Sequence, residues 1–275
     1  MRWQSWLVLA AVVPWCAIAA LSHATALWNG ATHTALGISL GLALLVFLAR
    51  AATPFAALTG GVIAAVLTLA PLPASGLSSW HHSALPPLLA LFLLTFSATR
   101  FGRGKKQRLG VAEDKHGRNA AQVAANLGVA GLGAAAALSN PLPGICYAVV
   151  VAAALAEATA DTLASELGEV LGGQPLMVTT RRRVPPGTDG AISLAGTVAG
   201  TGGAVLVVLV AAFTLELGTR GAVCAGLGAV GGLFVDSLLG ATAERRGWLN
   251  NDAVNFLSTF AAAVIAGVFF TIIHT

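Results

Sequence analysis

Charged residues are scarce in this chain: Asp, Glu, Lys and Arg together make up 9% of its 275 residues. Soluble domains carry about 25% charged residues, so this scarcity excludes an ordinary soluble domain. The hydrophobic share is 56% and the mean hydropathy is +0.81, which together indicate an integral membrane protein. No low-complexity tail or repeat array is visible, and we expect the lipid bilayer, not a nucleic acid, as the partner of this surface.

Two further absences narrow the chemistry. The three cysteines, Cys16, Cys146 and Cys224, lie in apolar segments without metal-ligand spacing, so we predict neither a disulfide framework nor a cysteine metal site. The chain also lacks a Gly-x4-Gly-Lys-[Ser/Thr] phosphate loop and the motif set of protein kinases. Any nucleotide chemistry here therefore needs a solution specific to membrane proteins.

Long apolar stretches dominate the chain, and about twenty such residues suffice for a helix to cross the hydrocarbon core. We predict an all-α polytopic protein with one membrane domain over residues 1–275, in which residues 1–99 are less characteristic and residues 100–275 carry the motifs. The seventh stretch is glycine-rich, as expected where helices approach closely. The nine predicted spans are residues 3–21, 31–51, 54–72, 84–99, 119–138, 145–163, 191–215, 221–241 and 251–273.

The basic residues predict the orientation of these spans. If the N-terminus is cytoplasmic and the C-terminus is outside, 14 of the 15 Lys and Arg residues fall on the inner side, and Arg220 is the exception. We therefore expect a location in the bacterial inner membrane. The alternative is a cleaved signal peptide over residues 1–26, which have a basic start and an apolar centre.

An acidic stripe lies at the inner end of the sixth span. Glu157, Asp161 and Ser165 are four residues apart and share one face of a helix. Carboxylates one turn apart repel each other unless a cation lies between them, and charges inside a membrane segment usually face a cavity or an ion. We predict a Mg²⁺ site of Glu157, Asp161 and Asp236; the alternative is an acidic helix end just outside the bilayer.

Polar residues also cluster at the inner ends of the other late spans, which predicts an acid-lined chamber open to the cytoplasm. We assign catalysis to Asp161, Asp236 and Asn126, and substrate positioning to the remaining members. The alternative is that these residues are hydrogen-bonding contacts between helices. The positioning residues are Gln122, Ser165, Ser193, Ser237, Asn251 and Asn255.

Basic loops supply the complementary charge. Arginine side chains match phosphate oxygens, and a Gly-Thr-Asp-Gly turn at the start of the seventh span would offer backbone N–H groups to an anion. The alternative is attraction to lipid headgroups. Arg103, Lys105, Lys106 and Arg108 are interpreted as topology determinants. The predicted nucleotide- and phosphate-binding residues are Lys115, Arg118, Arg181, Arg182, Arg183, Gly187, Thr188, Asp189 and Gly190.

Acids for a divalent ion, basic groups for phosphates and a lipid-exposed chamber predict phosphoryl transfer to a lipid. We expect apolar residues of the eighth and ninth spans to contact the lipid tail. Two alternatives stay open. One is an ion- or proton-coupled transporter or flippase, and the other is a cytidylyltransferase that forms a CDP-lipid.

Five blocks resemble the family known as domain of unknown function 92, or transmembrane-protein-19-like. They are residues 118–123 (RNAAQV) with Asn126, 160–168 (ADTLASELG), 186–193 (PGTDGAIS), 236–241 (DSLLGA) and 250–256 (NNDAVNF). The family includes a plant chloroplast member described as phytyl-phosphate kinase. The resemblance implies a kinase that transfers a phosphoryl group from a nucleoside triphosphate to an isoprenyl monophosphate. It also implies kinship with CTP-using phytol and dolichol kinases, so CTP is the expected donor.

Overall fold

A computed structural model describes residues 2–26, 29–73, 79–112, 117–139 and 144–274. These residues form ten α-helices, one two-stranded antiparallel hairpin and a π-helical turn at Gly240–Glu244. The helices are α1 (Trp3–Ala26), α2 (Gly30–Leu48), α3 (Pro54–Leu69), α4 (Leu85–Arg100), α5 (Arg103–Leu109), α6 (Ala120–Ser139), α7 (Gly144–Leu171), α8 (Leu194–Thr214), α9 (Gly218–Leu239) and α10 (Asn251–His274). The hairpin strands are β1 (Leu176–Met177) and β2 (Ala191–Ile192).

The helices confirm an all-α polytopic membrane protein. Among the described residues, seven helices are long and apolar enough to cross a membrane. The pair α4 and α5 passes the same test as one span bent by 60°, and the apolar α3 is shorter, at 16 residues. Each of the nine predicted spans corresponds to one helix, but the number of true spans and the orientation of the termini stay predictions.

Several predicted boundaries differ from the structure by three or more residues, and two of these differences flank the loop between α7 and α8. The sixth span continues eight residues beyond the predicted end, because α7 runs to Leu171 and meets its first glycine pair only at Gly172 and Gly173. The seventh span begins later than predicted, since Ala191 and Ile192 pair with β1 and the helix starts at Leu194. These local changes reshape the loop that joins α7 to α8.

Helix α7 lies at the centre of the bundle and packs against α4, α6, α8, α9 and α10. Its middle is made largely of buried alanines, so neighbouring backbones can approach closely. The contact with α8 is closest at two glycines: a Cβ on Gly196 would lie 2.5 Å from the Ala164 carbonyl oxygen, and one on Gly200 would lie 2.6 Å from that of Ala160. The predicted close approach of the seventh span is therefore found at α8.

One end of the bundle is fastened by contacts between helix ends that are distant in sequence. The Ser5 hydroxyl donates to Asp252 over 2.6 Å and accepts from the Asn250 amide over 2.8 Å, which joins the start of α1 to the start of α10. Ala52 and Arg118 form a β-bridge that joins the segment before α3 to the segment before α6. We call this the polar end, because the starts of α6, α8 and α10 and the ends of α7 and α9 meet there.

Lys106 has a structural role that the interpretation of the basic loop before the fifth span did not include. Its side chain is 1% exposed, and it forms an ion pair with Glu166 of α7. The ammonium also donates to the carbonyl oxygens of Ala98 and Thr99, at 3.1 and 2.7 Å, near the end of α4. Lys106 therefore joins α4, α5 and α7, and its role in topology stays a prediction.

Candidate active site

A cavity of about 300 Å³ occupies the polar end. Its wall combines α6, α7, α8, α9, the π-helical turn and α10 with the loop around the hairpin. The predicted site residues come from all of these elements except the π-helical turn, and the structure brings most of them together. The predicted site residues that line the cavity are Arg118, Gln122, Asn126, Asp161, Ser165, Gly187, Thr188, Asp189, Gly190, Ser193, Asp236, Ser237, Asn251 and Asn255.

Two acids from different helices meet in this cavity. The carboxyl groups of Asp161 on α7 and Asp236 on α9 lie within range of direct interaction with each other. One carboxylate oxygen of Asp236, Oδ1, is buried without a hydrogen-bond partner among the described residues. Because an unpaired buried carboxylate is costly, this pair is a strong place for a proton or a cation to bind.

Glu157 lies one helical turn deeper than Asp161 and does not line the cavity. Its side chain is 1% exposed, and neither carboxylate oxygen forms a well-aligned hydrogen bond in the described part of the chain, although the Ser258 side chain of α10 lies nearby. It packs over Gly232 of α9, where an added Cβ would lie 2.6 Å from Glu157 Cγ. Glu157 is thus close enough to influence both aspartates electrostatically, but it lies behind them.

This depth difference bears on the predicted metal site. Among the described residues, no three His, Cys, Asp or Glu side chains form a group that could hold a metal ion. The structure therefore does not gather Glu157, Asp161 and Asp236 around one point. Mg²⁺ usually takes only one or two protein carboxylates and fills its other positions with water and substrate phosphates. Asp161 and Asp236 fit that pattern of two protein carboxylates. The Asp236 Oδ1 atom, which has no hydrogen-bond partner among the described residues, is the atom best suited to bind such a cation.

Arg118 brings positive charge to the acid pair. It precedes α6, its guanidinium donates to the Thr162 hydroxyl over 3.3 Å, and it lies close enough to attract Asp161. The next residues form a reciprocal N-terminal cap: Asn119 Oδ1 accepts from the backbone N–H of Gln122 over 3.1 Å, and Gln122 Oε1 accepts from that of Asn119 over 2.8 Å. Gln122 therefore holds the helix start that places Arg118.

Asn126 and Asn255 link the opposite walls of the cavity. The Asn255 amide on α10 donates to the Asn126 Oδ1 on α6 over 3.1 Å, and Asn126 is 6% exposed. This contact agrees with the alternative in which amides form hydrogen bonds between helices, and it also fixes two polar side chains at the cavity edge. Their catalytic and positioning roles stay predictions.

The Gly187–Gly190 segment reaches the cavity, but not as the start of a helix. Strand β2 separates it from α8, and Ser193 is the N-cap of α8, with its hydroxyl accepting from the Gly196 N–H over 3.1 Å. Gly190 has a φ of +71°, and an added Cβ would lie 2.1 Å from the backbone nitrogen of Ala241. The turn is therefore pressed against the π-helical end of α9, which brings Thr188 and Asp189 to the rim.

Three of the predicted phosphate-binding residues that the structure describes do not line the cavity. Arg181, Arg182 and Arg183 are exposed on the hairpin loop and do not line the cavity. The loop is fixed by the Met177 N–H, which donates to the Arg182 carbonyl oxygen over 2.9 Å. Lys115 lies outside the described residues. A phosphate role for these four residues stays a prediction.

The cavity also contains acids that the sequence reasoning did not select. Glu166 and Glu169 lie on the last turns of α7, and Glu244 lies on the π-helical turn. A signal for the first two was present, because no proline or glycine pair occurs in α7 before Gly172 and the predicted span could have been extended. The Lys106 ammonium offsets the charge of Glu166.

The fold and this cavity define a class: an all-helical integral membrane protein with paired acids and an arginine in a cavity at one end. More specifically, the chain belongs to the integral membrane protein DUF92 family, whose sequence model matches residues 37–263.

Relatives come from an archaeon, a cyanobacterium and a plant. An uncharacterized membrane protein of Methanocaldococcus jannaschii is 36% identical over 179 residues, which cover 65% of this chain and 72% of that protein. An uncharacterized membrane protein of Synechocystis sp. is 34% identical over 182 residues, which cover 65% of this chain and 70% of that protein. Protein VTE6, chloroplastic, of Arabidopsis thaliana is 29% identical over 185 residues, which cover 64% of this chain and 55% of that protein. No solved structure matches.

Proposed function

We propose that this protein is a membrane isoprenyl-phosphate kinase. It transfers a phosphoryl group from a nucleoside triphosphate, with CTP favoured, to a prenyl monophosphate at the cytoplasmic face of a bacterial inner membrane. The single observation that carries the proposal is the convergence of Asp161 from α7, Asp236 from α9 and Arg118 from the segment before α6 in one cavity at the polar end. The distant relationship to the plant chloroplast protein, together with the family resemblance, supports a kinase-type lipid phosphotransferase.

The charges of the cavity suit two phosphate-bearing substrates. Arg118 attracts a phosphate oxygen, and the Asp161–Asp236 pair would hold Mg²⁺, which neutralises negative charge on the transferring group when bound. The Thr188–Asp189 rim carries backbone N–H groups that suit a nucleotide. In such chemistry the protein contributes positioning and electrostatic stabilisation more than covalent catalysis.

The reaction requires no general base. A monophosphate ester is already ionised near neutral pH, so its own oxygen attacks the γ-phosphorus of the donor. The bond between that phosphorus and the β–γ bridging oxygen breaks, and the nucleoside diphosphate leaves with the bond's electron pair. Arg118 would orient the attacking phosphate, and the Asn126–Asn255 pair, further along α6, would restrict its position.

The direct test is an assay of the purified full-length protein in detergent or nanodiscs. Phytyl or geranylgeranyl phosphate is incubated with Mg²⁺ and each nucleoside triphosphate in turn. A kinase yields the prenyl diphosphate and a nucleoside diphosphate, whereas a cytidylyltransferase yields a CDP-lipid and pyrophosphate. Absence of turnover with every pair, from protein that retains its helical circular dichroism spectrum, would refute the proposal.

Glu157 favours one rival function, a proton-coupled carrier. A buried carboxylate without a partner is typical of proton pathways in membrane proteins, and both Glu157 oxygens meet that description. A carrier would move a prenyl phosphate across proteoliposomes in response to a pH gradient and without nucleotide. Glu157→Gln would abolish that movement, whereas a kinase would consume nucleotide in the absence of any gradient.

A further inference from the structure

A second cavity, of about 150 Å³, lies between α2, α3, α4 and α6, and the chemistry above does not use it. Its wall is largely aliphatic and aromatic, with Leu42, Leu88, Leu91 and Phe92 among the lining residues. Gly60 of α3 keeps it open: an added Cβ there would meet only the Val123 Cγ1, at 3.7 Å. The composition of this cavity suits a hydrocarbon chain and not a nucleotide, and its volume matches the first isoprene units of such a chain.

Arginines mark the polar end of this second cavity. Arg50 follows α2, Arg100 ends α4, Arg103 begins α5, and Arg118 precedes α6, and all four are among its lining residues. Arg100 is held in place, since its guanidinium donates to the Ala49 carbonyl oxygen over 3.0 Å and lies 3.8 Å from the centre of the Phe96 ring. No Asp or Glu occurs among the described residues of this wall. The cavity is therefore complementary to an amphiphile with an apolar chain and an anionic head.

The two cavities share a wall. Arg118 and Asn126 line both the acid-lined cavity and the apolar one. A phosphate bound at Arg118 would thus have the Asp161–Asp236 pair on one side and the apolar cavity on the other. A lipid phosphate is the substrate that needs both environments within one molecule.

We propose that the apolar cavity between α2, α3, α4 and α6 binds the isoprenoid chain of the substrate, with its monophosphate at Arg118. This inference rests on the proposed kinase function and adds the location of the lipid chain. It replaces the expectation that the eighth and ninth spans, now α9 and α10, contact the tail. It also gives a role to the N-terminal helices.

The binding site is tested without turnover by photocrosslinking. A prenyl monophosphate with a diazirine on its chain is bound to the wild-type protein in nanodiscs, irradiated, and its adducts are mapped by mass spectrometry. We expect adducts on α2, α3 and α4, which unlabelled phytyl phosphate prevents and phosphatidic acid does not. Adducts confined to α9 and α10, or equal competition by phosphatidic acid, would overturn the inference.

Chain-length selectivity gives the second test. Gly60→Leu fills the cavity from the α3 wall, and Gly41→Leu on α2 is the matched control, since Gly41 is exposed, has no neighbour within 4 Å and does not line the cavity. We expect Gly60→Leu to raise KM for phytyl phosphate about tenfold or more, with little change for isopentenyl phosphate or the nucleotide. If Gly60→Leu had the same KM for phytyl phosphate as the wild type, the inference would be contradicted.

The two experiments separate the failure of this inference from failure of the proposed function. A protein that turns over prenyl phosphates but is labelled elsewhere is a kinase with a different tail site. A protein that is labelled in the apolar cavity but transfers no phosphoryl group binds the lipid phosphate without being a kinase. The crosslinking result does not depend on Gly60→Leu folding correctly.

Discussion

At the scale of single residues, the paired carboxylates decide what the cavity can bind. Asp161 and Asp236 come from helices separated by a long stretch of chain, yet they interact directly at the polar end. Sequence spacing placed Glu157 and Asp161 on one face of α7, and that much could be predicted from helical periodicity. Glu157 lies behind the Asp161–Asp236 pair and over Gly232, and this depth depends on how α9 packs against α7. Helical periodicity carries no information about that packing.

Asp161→Asn tests the acid pair. The substitution keeps the size of the side chain but removes the charge that would hold a cation near the transferring phosphoryl group. We expect kcat to fall about 100-fold or more, the usual effect of losing one electrostatic group in an active site. Asp252→Asn is the matched control, because Asp252 accepts from Ser5 outside the cavity. Undiminished turnover in Asp161→Asn would refute the metal assignment.

Lys106 gives a second prediction at this scale, concerning stability. In Lys106→Met, Glu166 becomes a buried carboxylate without its partner, and the Ala98 and Thr99 carbonyl oxygens lose a donor. We expect destabilisation of about 3–5 kcal/mol, measured as a lower Tm by circular dichroism in detergent. The double variant Lys106→Met with Glu166→Leu should recover much of the loss, since no charge is then left unpaired.

Lys105→Met is the control for that series, because Lys105 is exposed and, among the described residues, its ammonium donates to the Val170 carbonyl oxygen alone, over 2.6 Å. It should change Tm little. If Lys106→Met were as stable as the wild type, the ion pair would not be a structural link between α5 and α7.

At the scale of elements, the helices were largely predictable because bilayer-length apolar runs leave little choice of structure. The hairpin between α7 and α8 was not predictable. Its two strands pair across a loop, and Gly190 adopts its conformation against Ala241, a contact that no local pattern encodes. The ion pair of Lys106 with Glu166 was not predictable for the same reason, because the sequence of a basic loop does not indicate which of its residues has a partner on α7.

The packing of α7 on α8 is tested by Gly200→Leu. An added Cβ at Gly200 would lie 2.6 Å from the Ala160 carbonyl oxygen, so the helices must separate. We expect a cost of about 1–3 kcal/mol, seen as a lower Tm, together with a loss of activity because the cavity wall moves. Gly202→Leu on the same helix is the matched control, as nothing lies within 4 Å of its position. Equal Tm values for the two variants would contradict this account of the interface.

At the scale of the whole molecule, the polar end contains both the acid-lined cavity and the arginine-lined end of the apolar one. The sequence indicated this one-sided distribution through the alternation of basic loops. It did not indicate that two separate cavities share Arg118 and Asn126, because that requires the packing of α6 between the N-terminal and C-terminal helices.

The predicted orientation is tested by cysteine labelling in whole cells. Thr180→Cys lies on the exposed loop at the polar end, and Thr219→Cys lies at the exposed start of α9 at the opposite end. Under the positive-inside rule, a membrane-impermeant maleimide should label Thr219→Cys in intact cells and Thr180→Cys only after lysis. The reverse pattern would place the cavity outside. Cys16, Cys146 and Cys224 are first replaced by alanine to remove background.

The Lys106–Glu166 pair has a consequence for biogenesis. The two residues are 60 positions apart in the chain, so the ribosome releases the lysine well before its counter-charge is made. An ammonium group without a partner is expensive to bury within a bilayer. We therefore expect the α5 segment to stay at the membrane surface until α7 has been inserted, after which Glu166 of the C-terminal half joins Lys106 of the N-terminal half.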